Sequence, residues 1–192
     1  QTTAIGKLNA IFKGLSGHKF QLITITDSDV LFGNGWQQES YRVFENFPEA
    51  GAVSPAPSSK LLFYHTENII GKYLLSTKLK FTSVKNPAGL QAFADSIGNP
   101  QFYNTAHLEK YLTIERSGLK AVVGAGHFVC TYRGEVFWNR NKNFSNYNMG
   151  GDSEGIFLDK AVTNKGLWRL STESTGADHM GNVAEIWMED LL

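Results

Sequence analysis

The spacing of apolar residues along the chain predicts helices that alternate with short strands. From Ala4 to Leu15 apolar side chains recur at helical spacing, and Leu22, Ile23 and Ile25 follow as a short buried strand with β-branched threonines between them. The same patterns predict helices at 36–47, 66–81, 88–97, 152–165 and 183–192, and strands at 51–55, 111–115, 120–133 and 167–172. This alternation favours an α/β fold.

Composition limits the classes of protein that fit. The chain has 192 residues, of which 42% are hydrophobic, so one domain spanning 1–192 can bury a single core. Eighteen basic and eighteen acidic side chains give a formal net charge of zero, which argues against a nucleic acid polymer as partner. No apolar run approaches the roughly 18 residues of a transmembrane helix, and peripheral membrane association stays open. The single Cys130 favours a reducing, cytoplasmic setting.

Two carboxylates, Asp27 and Asp29, come directly after the strand that begins at Leu22. Open α/β sheets bind ligands at the carboxyl ends of their strands. Carboxylates this close repel each other, and a divalent cation with oxygen ligands, Mn²⁺ or Mg²⁺, would balance them. The other interpretation is a turn, because Asp readily bonds the backbone of its own turn. Gly33-Asn34-Gly35 and Trp36 follow, before a new helix.

The order of strand, Asp-x-Asp, short loop and Gly35-Trp36 resembles the nucleotide-sugar glycosyltransferases of the GT-A fold, especially family 2. The resemblance implies a Rossmann-like three-layer sandwich with a mostly parallel central sheet, and a variable acceptor-side region at about 60–118. In that family a β-α-β segment that holds the nucleotide base precedes the first helix seen here. We therefore expect the sequence to begin inside a longer chain, so that the fold is N-terminally incomplete.

The resemblance also implies a donor site. Asp27, Asp29 and His179 would hold the metal on the donor diphosphate, and Lys7 would lie beside that diphosphate. A solvated lysine on a helix face explains Lys7 equally well. Gly126 and His127, in the run Gly124-Ala-Gly-His127, would lie near the transferred sugar, and a β-bulge is the alternative explanation for these glycines.

The catalytic base is expected at the start of the helix after an asparagine-rich loop. Glycosyltransferases of this fold that invert the anomeric carbon carry an acidic pair there, and one carboxylate takes the proton of the acceptor hydroxyl. Here the pair is Asp152-Ser153-Glu154 instead of adjacent Glu and Asp, so the choice stays open, with Asp152 preferred over Glu154. Either residue could instead serve only as a cap or dipole partner of the helix.

The resulting prediction is a metal-dependent, inverting glycosyltransferase of the hexosyltransferase type. Its partners would be a nucleotide-diphosphate sugar and a saccharide or other hydroxyl acceptor. A nucleotide- or carbohydrate-binding module without transfer activity is the alternative from another class. A metal-dependent phosphotransferase or nucleotidyltransferase, which also uses paired Asp residues, is a third candidate.

Overall fold

Nine strands and six α-helices lie within residues 5–138, 145 and 152–181, the part of the chain that the computed structural model describes. The strands are β1 Leu22–Thr26, β2 Val30–Phe32, β3 Ala50–Ser54, β4 Leu79–Ser83, β5 Lys110–Arg116, β6 Leu119–Val123, β7 Val129–Arg133, β8 Trp168–Ser171 and β9 Ala177–His179. The helices are α1 Lys7–Leu15, α2 Trp36–Asn46, α3 Glu67–Tyr73, α4 Pro87–Ser96, α5 Thr105–Glu109 and α6 Lys160–Thr163, and a π-helical turn, Gly155–Asp159, precedes α6.

The main sheet has seven strands in the order β1-β7-β3-β8-β6-β5-β4. Only β3 and β8 pair in parallel, and the other five neighbouring pairs are antiparallel. The fold is therefore mixed α/β, as predicted, but the prediction of a mostly parallel sheet was wrong. The stretch 120–133, expected to be one interrupted strand, forms two, and the chain reverses so that β7 inserts between β1 and β3.

Four strands nevertheless point in the same direction, β1, β3 and β8 on one side of the sheet and β5 farther along it. Both β1 and β3 run antiparallel to β7, and β8 runs parallel to β3. Their carboxyl ends meet at one edge of the sheet, where Asp27 follows β1. This is the position at which α/β sheets commonly bind ligands.

Helices cover both faces of the sheet, as the alternation of side chains along β3 shows. Val53 packs with α2 residues such as Phe44 in one buried cluster, whereas its neighbour Ala52 packs with Leu8 of α1 and Leu158 of the π-helical turn in another. A third cluster forms where α4 meets β5 and β6. Both sheet faces are thus buried, and the carboxyl ends of the strands that share one direction lie between the two helical layers.

Two other elements differ from the expected ones. The helix predicted at 66–81 ends at Tyr73, and 79–83 forms β4, because pairing with β5 competes there with helical spacing. The segment around His179, expected to be a loop, is β9, which pairs with β2 in a separate two-stranded ribbon.

Parts of the chain lie outside the described residues. The predicted closing helix at 183–192 falls there, as does most of the asparagine-rich loop. Among the helices that the structure describes, none has the length and apolar character needed to span a bilayer.

Candidate functional site

Charged side chains converge at the edge where β1 ends. The first residue of α1, Lys7, extends its ammonium group to Asp27 Oδ1 and to Glu154 Oε1. All three side chains are 26–31% exposed. Burial lowers the pKa of Lys7, but hydrogen bonds and attraction to both carboxylates outweigh burial and hold that pKa above its usual value. Lys7 therefore stays charged and ties α1 to the strand end and to the helix start at 154.

His127 links Glu154 to the buried Asp159. Its Nδ1 lies 2.8 Å from Asp159 Oδ2, and its Nε2 lies 3.8 Å from Glu154 Oε2. Asp159 Oδ1 in turn accepts a hydrogen bond of 2.7 Å from Arg169 Nη2. Arg169 also donates to the carbonyl oxygens of Tyr64 and Ala125. The interior end of the chain of contacts is therefore fixed by several directional bonds.

These six residues form what we call the charged cluster. Its members are Lys7, Asp27, His127, Glu154, Asp159 and Arg169. Three carboxylates face two permanent cations, so a protonated imidazole makes the cluster electrically neutral. Burial lowers the pKa of His127 and Lys7 opposes its protonation, but the hydrogen bond to Asp159 and attraction to Asp159 and Glu154 raise this pKa above its ordinary value.

The second predicted carboxylate, Asp29, lies in a different setting. The β2–β9 ribbon pairs Val30 with His179, which brings His179 Nε2 to 3.4 Å from Asp29 Oδ2. The backbone N–H of Met180 also donates to the Asp29 carbonyl oxygen at 2.8 Å. The ribbon therefore joins residues that lie 150 positions apart in the sequence.

Ser96 determines which imidazole nitrogen of His179 carries a proton. The Ser96 hydroxyl donates its single hydrogen to the Phe93 carbonyl at 2.8 Å, and its Oγ lies 3.0 Å from His179 Nδ1. Nδ1 must then be the donor to Ser96. In the neutral imidazole, the lone pair of Nε2 consequently faces the Asp29 carboxylate, an arrangement that a cation between the two would favour.

The predicted site residues are thus only partly brought together. Lys7, Asp27, His127 and Glu154 meet in the charged cluster, and Gly126 lines the adjoining cavity. Asp29 and His179 meet in the ribbon. Asp27 binds Lys7 instead of joining that pair, and no group of three or more His, Cys, Asp or Glu suited to a metal is found among the described residues.

Asp152 does not line the cavity. Its φ of 56° is in the left-handed region, and its carboxylate packs against Gly155, where a Cβ would collide with it and with the Tyr64 hydroxyl. Glu154, two residues on, points into the charged cluster and lines the cavity. The geometry therefore favours Glu154 over Asp152, the reverse of the order expected from sequence.

The glycines of the Gly124-Ala-Gly run belong to the loop between β6 and β7, so they do not form a β-bulge. Gly124 has a φ of +108°, and a Cβ there would lie 2.8 Å from the carbonyl oxygen of Leu61. The close approach predicted for these glycines is made by another segment of the chain. Gly126 has ordinary space around it.

Sequence reasoning missed Asp159 and Arg169, whose side chains are each only 1% exposed. Both interrupt apolar runs, Ile156-Phe-Leu-Asp159 and Leu167-Trp-Arg169-Leu. A charge inside a run that otherwise predicts full burial is the signal that could have identified them, because a buried charge requires a partner.

A cavity of about 270 Å³ adjoins both groups of residues. Asp27, His127 and Glu154 contribute to its wall from the charged cluster, and His179 contributes from the ribbon. Asp178 also lines it, and burial raises the pKa of its carboxyl group. Among the described residues, this carboxyl group has no hydrogen-bond or ion-pair partner. The cavity is therefore a partly open space lined by both carboxylate and imidazole groups.

Comparisons with protein-family models, with curated proteins and with solved structures found no match for this chain.

Proposed function

We propose that this chain is a metal-dependent glycosyltransferase that moves a sugar from a nucleotide diphosphate to an acceptor hydroxyl with inversion. The observation that carries the proposal is one cavity whose wall includes both the Glu154–His127 pair and His179, whose Nε2 lies 3.4 Å from Asp29 Oδ2. The common direction of β1, β3 and β8 supports a GT-A-like arrangement within the mixed sheet.

The ribbon offers a suitable position for a divalent cation. Asp29 Oδ2 and His179 Nε2 are 3.4 Å apart, and Ser96 holds the imidazole with Nε2 toward the carboxylate. Oxygen and imidazole nitrogen are donors that Mn²⁺ accepts, and a partner on the distal ring nitrogen is the usual orientation for a metal-binding histidine. A divalent ion there would offset the negative charge on the leaving diphosphate. Asp27, already bound to Lys7, is not included as a direct ligand.

Glu154 is the base in this proposal. The acceptor hydroxyl oxygen forms a bond to the anomeric carbon from the face opposite the donor diphosphate. The bond between that carbon and the diphosphate oxygen breaks, and its electron pair leaves with the nucleoside diphosphate. The acceptor proton passes to the Glu154 carboxylate, which Lys7 positions beside His127.

Release of nucleoside diphosphate from UDP-, GDP- and dTDP-sugars with Mn²⁺ tests the proposal. We expect Glu154→Gln to lower turnover about 10²- to 10⁴-fold without weakening nucleotide binding, because it removes general-base catalysis only. Asp152→Asn is the matched control and should retain turnover. Asp29→Ala should weaken nucleotide binding only when Mn²⁺ is present.

Three results would each contradict part of the proposal. No nucleoside diphosphate from any donor, together with unchanged nucleotide affinity in Asp29→Ala, would refute the proposal. Pyrophosphate as the product would instead indicate nucleotidyl transfer. A product that keeps the anomeric configuration of the donor would exclude Glu154 as a simple base.

One observation favours a binding module without transfer as the second candidate. Lys7 binds both Asp27 and Glu154, so two of the carboxylates expected to act in catalysis already have a cation partner. Nucleotide or sugar binding without turnover in the experiment above would support this candidate.

A further inference from the structure

The wall of the cavity away from the charged cluster is built largely from aromatic and aliphatic side chains. Phe93 of α4 lies at its centre, with ring centroids 5.2 Å from Phe128, 5.9 Å from Phe102 and 6.5 Å from Tyr103. Leu90 and Leu61 add aliphatic surface. Phe93, Phe102 and Phe128 are each only partly buried, so they keep surface available to a ligand.

The three phenylalanine rings of this wall carry no polar atoms, and two of the nearby hydroxyls, Ser58 Oγ and the Tyr103 hydroxyl, lie 2.8 Å apart and bond to each other. A saccharide placed against Phe93, Phe102 and Phe128 would find no hydrogen-bond partner on these side chains, and each unpaired buried polar group costs about 1–3 kcal/mol. An apolar group in the same place loses no hydrogen bonds and gains from burial.

Packing against aromatic rings favours a planar ring over an extended aliphatic chain. Aromatic rings pair with one another at centroid separations of about 4.5–7 Å, in stacked or edge-to-face geometry. The four aromatic residues of the wall already interact at such separations, both stacked and edge-to-face. A further planar ring can extend this packing, and a cavity of about 270 Å³ accommodates one ring with its substituents.

We propose that the acceptor hydroxyl belongs to a molecule with an aromatic ring, such as a phenol or an aryl glycoside, and that this ring binds against Phe93, Phe102 and Phe128. The role of this molecule as acceptor rests on the proposed transfer function, but binding of its ring does not depend on transfer. Glu154 and His127 line the same cavity, so a hydroxyl attached to a ring bound there shares this space with the proposed base.

Binding of uncharged probes to the full chain tests the inference without donor or metal. Phenyl β-D-glucopyranoside should bind saturably and at least about 10-fold more tightly than methyl β-D-glucopyranoside, as measured by saturation-transfer NMR and thermal shift. Hexyl β-D-glucopyranoside tests an aliphatic chain, and uridine and guanosine test a nucleobase. Equal binding of the methyl glucoside, or tighter binding of the hexyl glucoside or of either nucleoside, would overturn the inference.

Paired substitutions locate the binding. Phe93→Leu keeps an apolar side chain but removes the ring, and we expect it to weaken phenyl glucoside binding about 5- to 10-fold. Phe63→Leu is the matched control, because Phe63 is 77% exposed and does not line the cavity. Equal affinity in the two variants, both shown to be folded by circular dichroism, would refute the assigned wall.

The inference and the proposed function can fail separately. Phenyl glucoside binding that depends on Phe93, in a protein that releases no nucleoside diphosphate, would leave the ring site standing and end the transferase proposal. Turnover with saccharide acceptors, without tighter binding of the phenyl glucoside, would support the transferase proposal and refute the ring site.

Discussion

The charged cluster and the β2–β9 ribbon hold the two carboxylates of one Asp-x-Asp stretch in opposite ways. In the cluster, every carboxylate has a cationic partner supplied by the chain itself, as with Asp27 and Lys7 or Asp159 and Arg169. In the ribbon, the one charged partner of the Asp29 carboxylate among the described residues is His179, at 3.4 Å. Two residues of separation therefore divide a carboxylate paired with a lysine from one paired with a histidine, where the proposed function places the cation.

The difference follows from the strands that carry each residue. Asp27 directly follows β1 of the seven-stranded sheet, and its backbone N–H donates to Phe128, so its position is set by the main core. Asp29 directly precedes β2, a three-residue strand paired only with β9. The two carboxylates are similarly exposed, at 28% and 33%, so the difference between them lies in the partner that each element brings near, Lys7 for Asp27 and His179 for Asp29.

Removing a cation from the charged cluster should have the largest effect. Arg169→Met leaves Asp159 buried without its guanidinium partner and deprives the carbonyl groups of Tyr64 and Ala125 of a donor. We expect a loss of about 3–5 kcal/mol in the free energy of unfolding, measured by urea denaturation.

A second substitution separates unpaired charge from lost packing. In the double variant Asp159→Leu/Arg169→Met no charge is left buried, so it should be more stable than Arg169→Met alone, although the two carbonyls still lack a donor. If Arg169→Met unfolds at the wild-type urea concentration, the cluster is not balanced internally and the contrast with the ribbon disappears.

In the ribbon, the property that a substitution should change most is the affinity for a cation. Ser96→Ala removes the acceptor that orients His179, and we expect Mn²⁺ affinity to fall about 10- to 100-fold, as measured by electron paramagnetic resonance of free Mn²⁺. Ser76→Ala is the matched control, since the Ser76 hydroxyl accepts only from the nearby Lys78 backbone in the described structure. Equal Mn²⁺ affinity in the two variants would show that Ser96 does not prepare the ribbon for a cation.

Local patterns in the sequence predicted the elements but not the sheet. Apolar spacing correctly indicated β1, α2 and α4; the two helices bury residues at helical spacing, whereas β1, expected to be buried, is an edge strand in which only Ile25 is buried. The separation of β6 from β7 was missed because strand pairing depends on residues far apart in sequence. Gly124 signalled a close approach, but the pattern could not identify Leu61 as the segment that approaches.

The parts of the candidate site that could be predicted are those whose residue types, in that spacing, have few common roles. The Asp-x-Asp stretch and His179 stood out in sequence, and the ribbon brings Asp29 and His179 together. The pairing of Asp27 with Lys7 and the position of Asp152 outside the cavity depend on side-chain directions that no spacing rule provides. Asp159 and Arg169 needed the structure, because the sequence does not show which residues pair with them.

The smallest expected effect is a pH dependence of stability that arises in the charged cluster. The pKa of His127 is raised in the folded protein by Asp159 and Glu154, whereas the unfolded chain titrates near the ordinary value of about 6.5. Above that pH, a larger fraction of folded than of unfolded molecules carries the proton. Stability contributed by His127 is therefore fully present below about pH 6.5 and is lost as pH rises through the folded pKa.

Urea denaturation between pH 5.5 and 8.5 measures this contribution. Wild-type protein should lose stability with rising pH by less than about 1.4 kcal/mol per unit, the limit for one proton, and His127→Gln should show a shallower decline. His18→Gln is the control, since His18 is exposed and should keep the wild-type slope. An unchanged slope in His127→Gln would mean that the imidazole is not the cation that balances Asp159 and Glu154. The third carboxylate of the cluster would then lack its compensating charge, and the cluster, like the ribbon, would have capacity for an external cation.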